Sequence, residues 1–197
     1  MLYPRYSDKD ELVTSDQMVG YKEHLTHTKR ILCLSGDIGF SADPLDLLMA
    51  LDTLSDDPIT LFISSGGGSL DTTFLLYDTL KMMKSPIITV GRYAASAAAL
   101  ILAVGRNRYL LPHARVMLHL PAGQMQGDSA DFDIQHKQMN SYKEKVVDLL
   151  QECGVKKNRE EILGDINRDF WLEPQEAIDY GLADEILTPE KWQEWRV

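Results

Sequence analysis

The sequence is poor in several features that would fix a class at once. Among 197 residues there are two cysteines, Cys33 and Cys153, far apart and each inside or beside an apolar stretch. Two thiols cannot build a disulfide framework or a four-ligand structural zinc site, and a reducing compartment is expected. The longest apolar run, from Tyr93 to Val104, has about 12 residues, against the roughly 18 or more of a membrane-spanning helix. The opening segment, M-L-Y-P-R-Y-S-D-K-D-E-L, lacks the apolar core of a secretory signal, so a soluble, cytoplasmic protein is expected. Basic residues are also scarce: 20 Lys and Arg against 30 Asp and Glu, a net charge of −10. That balance argues against nucleic acid and against an anionic membrane surface as partners. There is no internal repeat, no low-complexity stretch, no H-E-x-x-H and no C-x-x-C pair. Asp128, Asp131 and Asp133 imitate part of a calcium loop but lack its glycine and terminal Glu. They read instead as a helix N-terminus favoured by acids. Neither metal nor cofactor is expected.

What is present is an ordinary globular composition, 44% hydrophobic and 25% charged, with enough chain for one well-buried domain. Short apolar runs alternate with helical spacing. Strands are expected at Ile31 to Leu34, Ile59 to Ile63, Ile87 to Val90, Tyr109 to Leu111 and Val116 to His119. Helices are expected around Leu45, Leu48, Leu51 and Leu54, and over Leu70 to Met83 with Leu75, Leu76, Leu80 and Met83 on one side. Others fall over Ala94 to Val104, Ser129 to Leu150, Arg159 to Gly164 and Pro174 to Tyr180. This alternation predicts an α/β protein with a parallel sheet covered by helices. The long helix from Ser129 carries Phe132, Met139, Tyr142, Val146 and Leu150 as its apolar members. It either projects towards a partner or packs as an ordinary surface helix. Residues 1–28 are polar and mixed in charge and read as an N-terminal arm; residues 29–197 read as one domain. The basic stretch Arg92, Arg106, Arg108 and Arg115 contains no acid between residues 92 and 121. Its arginines serve either internal ion pairs or a subunit interface.

Three places carry residue types that suit chemistry. Ser65-Gly66-Gly67-Gly68-Ser69 follows a strand and opens a helix, where backbone N–H groups can meet an anion. It fits neither G-x-G-x-x-G nor a phosphate loop, which leaves an oxyanion hole or a plain tight turn. Ser96 stands alone among Ala94, Ala95, Ala97, Ala98 and Ala99, either as a nucleophile with open access or as a helix N-cap. His119 closes the apolar segment Val116-Met117-Leu118, either as a satisfied core histidine or as a base. Asp169 precedes Phe170 and Trp171, where a carboxylate needs a partner such as a histidine ring N–H.

Taken in order, the blocks I-S-S-G-G-G-S-L, A-A-S-A-A-A-L-I-L-A-V-G, R-Y-L-L-P-H-A-R-V-M-L-H-L-P, Q-G-D-S-A-D-F-D-I-Q-H and D-I-N-R-D-F-W-L-E-P-Q-E-A-I-D-Y-G-L-A-D-E-I-L resemble the Clp protease proteolytic subunit (ClpP) family of serine peptidases. The resemblance runs from about Lys29 to Leu187. It implies a crotonase/ClpP-like fold of repeated β-β-α units, with a long protruding handle helix (handle about 123–152). It implies Ser96 as nucleophile, His119 as general base and Asp169 as orienting acid. The oxyanion donors are implied to be the backbone N–H groups of Gly68 and Ala97. Arg168 matches the residue that couples ring contact to site geometry. The implied assembly is a heptameric ring stacked as a tetradecamer, working on unfolded polypeptide with a Clp ATPase unfoldase or a ClpP paralogue.

The chain departs from the family pattern at Gly66 (usually Pro), Ala97 (usually Met) and Leu120 (usually Gln). The Ser96-to-His119 segment is slightly short. Of the unfoldase-docking aromatics Phe62 and Tyr109 fit, Thr60 replaces a Tyr, and residues 1–28 do not resemble the axial gate. A divergent paralogue is expected. Two rivals to an active serine endopeptidase follow: a non-catalytic or conditionally active ring subunit, and an acyl-CoA enzyme of the wider crotonase fold, against which intact His119 and Asp169 count.

Overall fold

A computed structural model describes residues 23–39 and 43–194. The elements run β1 (Ile31–Ile38), α1 (Asp43–Leu54), β2 (Ile59–Gly68), α2 (Leu70–Met82), β3 (Ile87–Ala95), α3 (Ala97–Ala103) and β4 (Asn107–Leu118). Then follow α4 (Ser129–Glu152), α5 (Arg159–Asp165), β5 (Phe170–Leu172), α6 (Pro174–Tyr180), β6 (Glu185–Ile186) and α7 (Pro189–Glu194). Most of the expected N-terminal arm, residues 1–22, lies outside the described residues; His24–Thr28 form one π-helical turn beside β1.

The sheet has six strands in the order β1-β2-β3-β4-β5, with β6 also on β4. β1 to β4 are parallel and β5 is antiparallel to β4. Parallel neighbours need a crossover, and α1, α2 and α3 supply the three of them. One sheet face carries Leu32, Leu34, Leu61, Ile63, Leu110, Val116 and Leu118, all buried. α3 packs there with all seven of its residues buried. A helix that is apolar all round belongs inside a protein, and its alanines let it lie close to the sheet. Thr89 is fully buried on β3 and donates to the Leu102 carbonyl at 2.7 Å.

The strands are longer than local propensity suggests. β2 continues through Ser64 to Gly68, β3 continues through Ala95, and the two short strands expected in 109–119 are one strand. Each is interrupted by a register shift. Ser35 pairs with Ser64 but Asp37 with Gly67; Ile63 pairs with Gly91 but Ser64 with Tyr93; Gly91 pairs with Leu110 but Tyr93 with Arg115. The shifts lie side by side, so one fault crosses the four parallel strands β1 to β4. Extra residues bend a strand and increase its twist. The two strands of each expected β-β-α unit are thus the two halves of one faulted strand. The fault separates a lower sheet from an upper part that ends at Gly68, Ala95 and Leu118.

The helices differ from the sequence pattern in detail. α2 buries Thr73, Leu76, Tyr77 and Leu80, whereas Leu75 is exposed. α3 begins at Ala97, not Ala94, because β3 holds Ala94 and Ala95. α4 buries only Val146, Val147 and Leu150. Phe132 and Ile134, near its start, are 45% and 66% exposed, so the first half projects from the body. Its N-terminus is a capping box: Asp128 accepts from the Ala130 and Asp131 amides, and Asp131 accepts from the Asp128 amide. The acid-favoured helix start read from the sequence is what forms.

Of the four clustered arginines, two form ion pairs within the chain. Arg115 meets Glu173 at 3.2 Å. Arg108 meets Asp184 at 2.6 Å and also donates to the Cys153 and Gly181 carbonyls, tying β4 to the ends of α4 and α6. Burial works to raise the Asp184 carboxyl, but the hydrogen bonds from Arg108 outweigh it and hold the group below its ordinary value. A depressed folded-state pKa gives stability that is present above the unfolded value and lost as pH falls through the folded one. Asp184→Asn is therefore expected to lower Tm near neutral pH. It should also flatten the acid limb, so that its Tm approaches the wild-type curve as pH falls below the ordinary carboxylate range. Thermal melts across pH check this; a constant offset at every pH would refute the linkage.

Candidate active site

The upper rim gathers residues from five separate segments. Ser96 follows β3 and occupies the N-cap position of α3, yet its side chain makes no capping bond. Its hydroxyl lies 2.7 Å from Nε2 of His119, just past the end of β4. The N-cap alternative for this serine therefore fails on its hydrogen bonding. The His119 ring is half-buried and faces Ser96. Ser96 has φ 56° and ψ −126°, a conformation that costs a non-glycine residue about 1–3 kcal/mol. Its amide donates to the Met117 carbonyl at 2.8 Å, and its carbonyl accepts from Ala99 at 3.0 Å, which pins the turn.

The glycines explain how β2 comes so close. A Cβ on Gly67 would lie 2.8 Å from both the Ala95 carbonyl oxygen and Ser96 Cβ, and 3.0 Å from the Ala97 nitrogen. On Gly68 it would fall 2.2 Å from the Ile38 carbonyl oxygen. Both have positive φ, 98° and 151°. Only glycine fits at either place. Gly66 differs: a Cβ there meets nothing within 4 Å. Ser65 is buried and its hydroxyl accepts the Gly67 amide at 3.1 Å, shaping the end of the strand.

Gly68, Ser96, Ala97 and His119 stand at the mouth of a cavity of about 180 Å³. Aliphatic side chains line its walls beside the polar groups at its mouth: Leu70 from α2, Leu100 from α3, Leu118 from β4, Val146 from α4 and Ile166 after α5. Ile166 is fixed there, fully buried, with its carbonyl accepting the Leu120 amide at 2.8 Å. None of these wall residues stands out in the sequence as a site residue; they come together only through the tertiary fold.

Asp169 is nearby but not joined. Its Oδ1 is 4.0 Å from His119 Nδ1, and its side chain is 64% exposed. A hydrogen bond needs about 3.2 Å or less. The structure brings Ser96 and His119 together and leaves Asp169 at ion-pair range. Arg168 is exposed and donates to the Asn167 carbonyl at 2.8 Å. Phe62 and Tyr109, expected in a docking cleft, sit in a second apolar cluster with Val90 and Leu187 on the other face of the sheet. Trp192 of α7 packs edge-on to Phe62 there, with ring centroids 5.5 Å apart. Thr60 is buried on the same strand as Phe62. Among the described residues, no group of His, Cys, Asp or Glu is arranged to hold a metal ion. None of their helices is long and apolar enough to cross a membrane.

These features first define a class: an α/β protein whose parallel sheet brings a histidine-paired serine to the rim of an apolar cavity. The chain belongs to the Clp protease family, whose model, described as Clp protease, matches residues 17–190. It is 33% identical over 191 aligned residues to the ATP-dependent Clp protease proteolytic subunit 2 of Pseudomonas aeruginosa, covering 93% of this chain and 94% of that protein. It is 36% identical over 166 residues to the ATP-dependent Clp protease proteolytic subunit 1 of Rhodopirellula baltica, covering 80% and 72%. Among solved structures it matches a mutant ClpP1 from Listeria monocytogenes with a TM-score of 0.78 and 31% identity, covering 86% of this chain and 98% of that one. The fold is the ClpP fold.

The steric difference between the glycines is directly testable. Gly68→Ala should lower Tm strongly, because its Cβ meets backbone that cannot move aside. Gly66→Ala should be neutral or stabilising by about 0.4–1 kcal/mol through the unfolded state. Circular-dichroism melts of the two variants decide it, and equal losses would refute the close-approach argument.

Proposed function

We propose that the chain is a serine endopeptidase subunit of a Clp-type chambered protease, with Ser96, His119 and Asp169 as its triad. The observation that carries this reading is the 2.7 Å contact between Ser96 Oγ and His119 Nε2 at a strained turn beside an apolar cavity. Serine is a weak nucleophile until a base takes its proton. In the proposed reaction His119 accepts that proton as Oγ attacks the peptide carbonyl carbon, and returns it to the leaving amine. The oxyanion is met by the backbone N–H groups of Gly68 and Ala97. Ala97 suits this role because the first amides of a helix have no acceptor within it. Asp169 then holds the Nδ1–H of His119 and offsets the imidazolium charge. The neutral, apolar cavity walls favour an uncharged side chain next to the cleaved bond.

A second reading, a conditionally active subunit, is favoured by the 4.0 Å gap between His119 and Asp169. On that reading the acid closes on the histidine only within an assembly, through Arg168, which neighbours it in the chain. Assembly as a heptameric ring stacked into a tetradecamer is part of the same proposal. The protruding half of α4, with Phe132 and Ile134 exposed, suits contact between rings. A Clp ATPase or a ClpP paralogue is the proposed partner, and one docking over Phe62 and Tyr109 would meet Trp192 first.

Fluorophosphonate labelling of the sized protein, read by intact mass, tests the nucleophile. One adduct on the wild type and none on Ser96→Ala is expected, with assembly unchanged. Labelling that survives Ser96→Ala would overturn the assignment. For the assembly, Ile134→Glu places a charge on the exposed first half of α4. Sedimentation should show the largest species reduced to a smaller one, and an unchanged profile would remove α4 from the contact.

A further inference from the structure

We propose that Tyr93, Trp171 and Arg115 form a clasp on the outer face of the sheet that sets the distance between Asp169 and His119. The inference rests on the triad reading above and assigns positioning residues to it. Each of the three strands that deliver the triad contributes one member. Tyr93 is on β3, which leads into Ser96. Arg115 is on β4, which ends at His119. Trp171 is on β5, directly after Asp169. Their neighbours Ala94, Ala114, Val116 and Leu172 point into the core, so the three themselves point outwards. Tyr93 and Trp171 are 38% and 40% exposed.

Their contacts cross the sheet. Trp171 pairs with Met117 on β4, yet its ring reaches over β4 to Tyr93 on β3, with centroids 6.1 Å apart and planes tilted by 34°. Arg115 Cζ lies 5.3 Å from the centre of the Trp171 ring. Both separations are within the range of aromatic and cation–π attraction. Arg115 is aimed by Glu173, 3.2 Å away. That ion pair is half-exposed on both sides and screened by solvent, so it orients the guanidinium more than it holds the strand.

Asp169 depends on β5 for its place. The carboxylate is largely exposed and meets His119 only at 4.0 Å. β5 is three residues long and pairs with β4 alone. On its inner face Leu172 is buried and Phe170 packs on Tyr180 at 5.4 Å. On its outer face Trp171 opposes rotation about that inner anchor. The clasp therefore ties the strand of the acid to the strand of the serine, across the strand of the histidine.

The test compares Trp171→Ala, Trp171→Phe and Tyr93→Ala, each with and without Asp169→Asn. Fluorophosphonate labelling and peptide hydrolysis are the readouts. Trp171→Ala is expected to slow labelling by on the order of 10²-fold, the loss that a shift of about 1 Å in a catalytic group can bring. It should lower kcat with KM held. Trp171→Phe should recover most of the loss, and Tyr93→Ala should reproduce part of it without altering β5. In the Asp169→Asn background Trp171→Ala should cost nothing further, since both act through one carboxylate. The same fold-loss in both backgrounds would show a merely structural role and overturn the clasp, as would no loss in either. If the wild type is not labelled, the reading of a constitutively active triad fails, and crystal structures of the wild type and Trp171→Ala decide the clasp by themselves. Asp169 displaced from His119 in the variant supports it, and an unmoved Asp169 overturns it.

Discussion

The Ala95 carbonyl, the Ser96 Cβ and the Ala97 amide occupy the space where a side chain on Gly67 would have to go. That exclusion organises the upper half of the molecule. It lets the end of β2 lie flat against the turn between β3 and α3. It also brings Gly68 to the same cavity mouth as Ser96 and Ala97. The companion exclusion at Gly68, against Ile38, sets the end of β1 beside it. A strained serine persists only where its surroundings over-determine it. Here the surroundings are two glycines, the Met117 carbonyl and a helix buried on every side.

Rigidity is unevenly shared among the three candidate catalytic groups. Ser96 and His119 are delivered by long central strands whose inner faces are closed by α3 and the aliphatic core. Asp169 is delivered by a three-residue strand at the sheet margin and is mostly in solvent. The same division appears in α4, whose last turns are buried against the body while its first turns stand clear. The parts that hold the serine and histidine are core; the parts that adjust or join are periphery. Local stability follows buried contacts, so motion is concentrated in the second group.

Much of this was legible in the sequence. Strand and helix alternate with distinct periods, so the α/β class and nearly every long element could be read directly. Ser96, His119 and Asp169 stood out because each is a reactive type in an apolar or small-residue setting, and their blocks resemble one family. The strand extensions were not legible. Ser64 to Gly68 have poor strand propensity, and only pairing with β1 and β3 makes them extended. The cavity walls were hidden for a related reason: Leu70, Val146 and Ile166 look like any core residue until three distant segments meet. Leu75 was misjudged because spacing alone could not say which side of α2 faces the sheet. Trp171 read as bulk beside Asp169; its reach to Tyr93 needs the sheet order to be known.

The order of the strands along the chain has a consequence for biosynthesis. Ser96 and His119 lie on adjacent parallel strands that are complete by residue 119, whereas β5 and Asp169 come some fifty residues later, after α4 and α5. A domain generally folds as a unit during synthesis. The serine and histidine are therefore translated early but meet in a folded sheet only when α4, α5 and β5 have followed. The candidate site is thus completed late, when the chain is almost whole, although two of its three groups are made well before that.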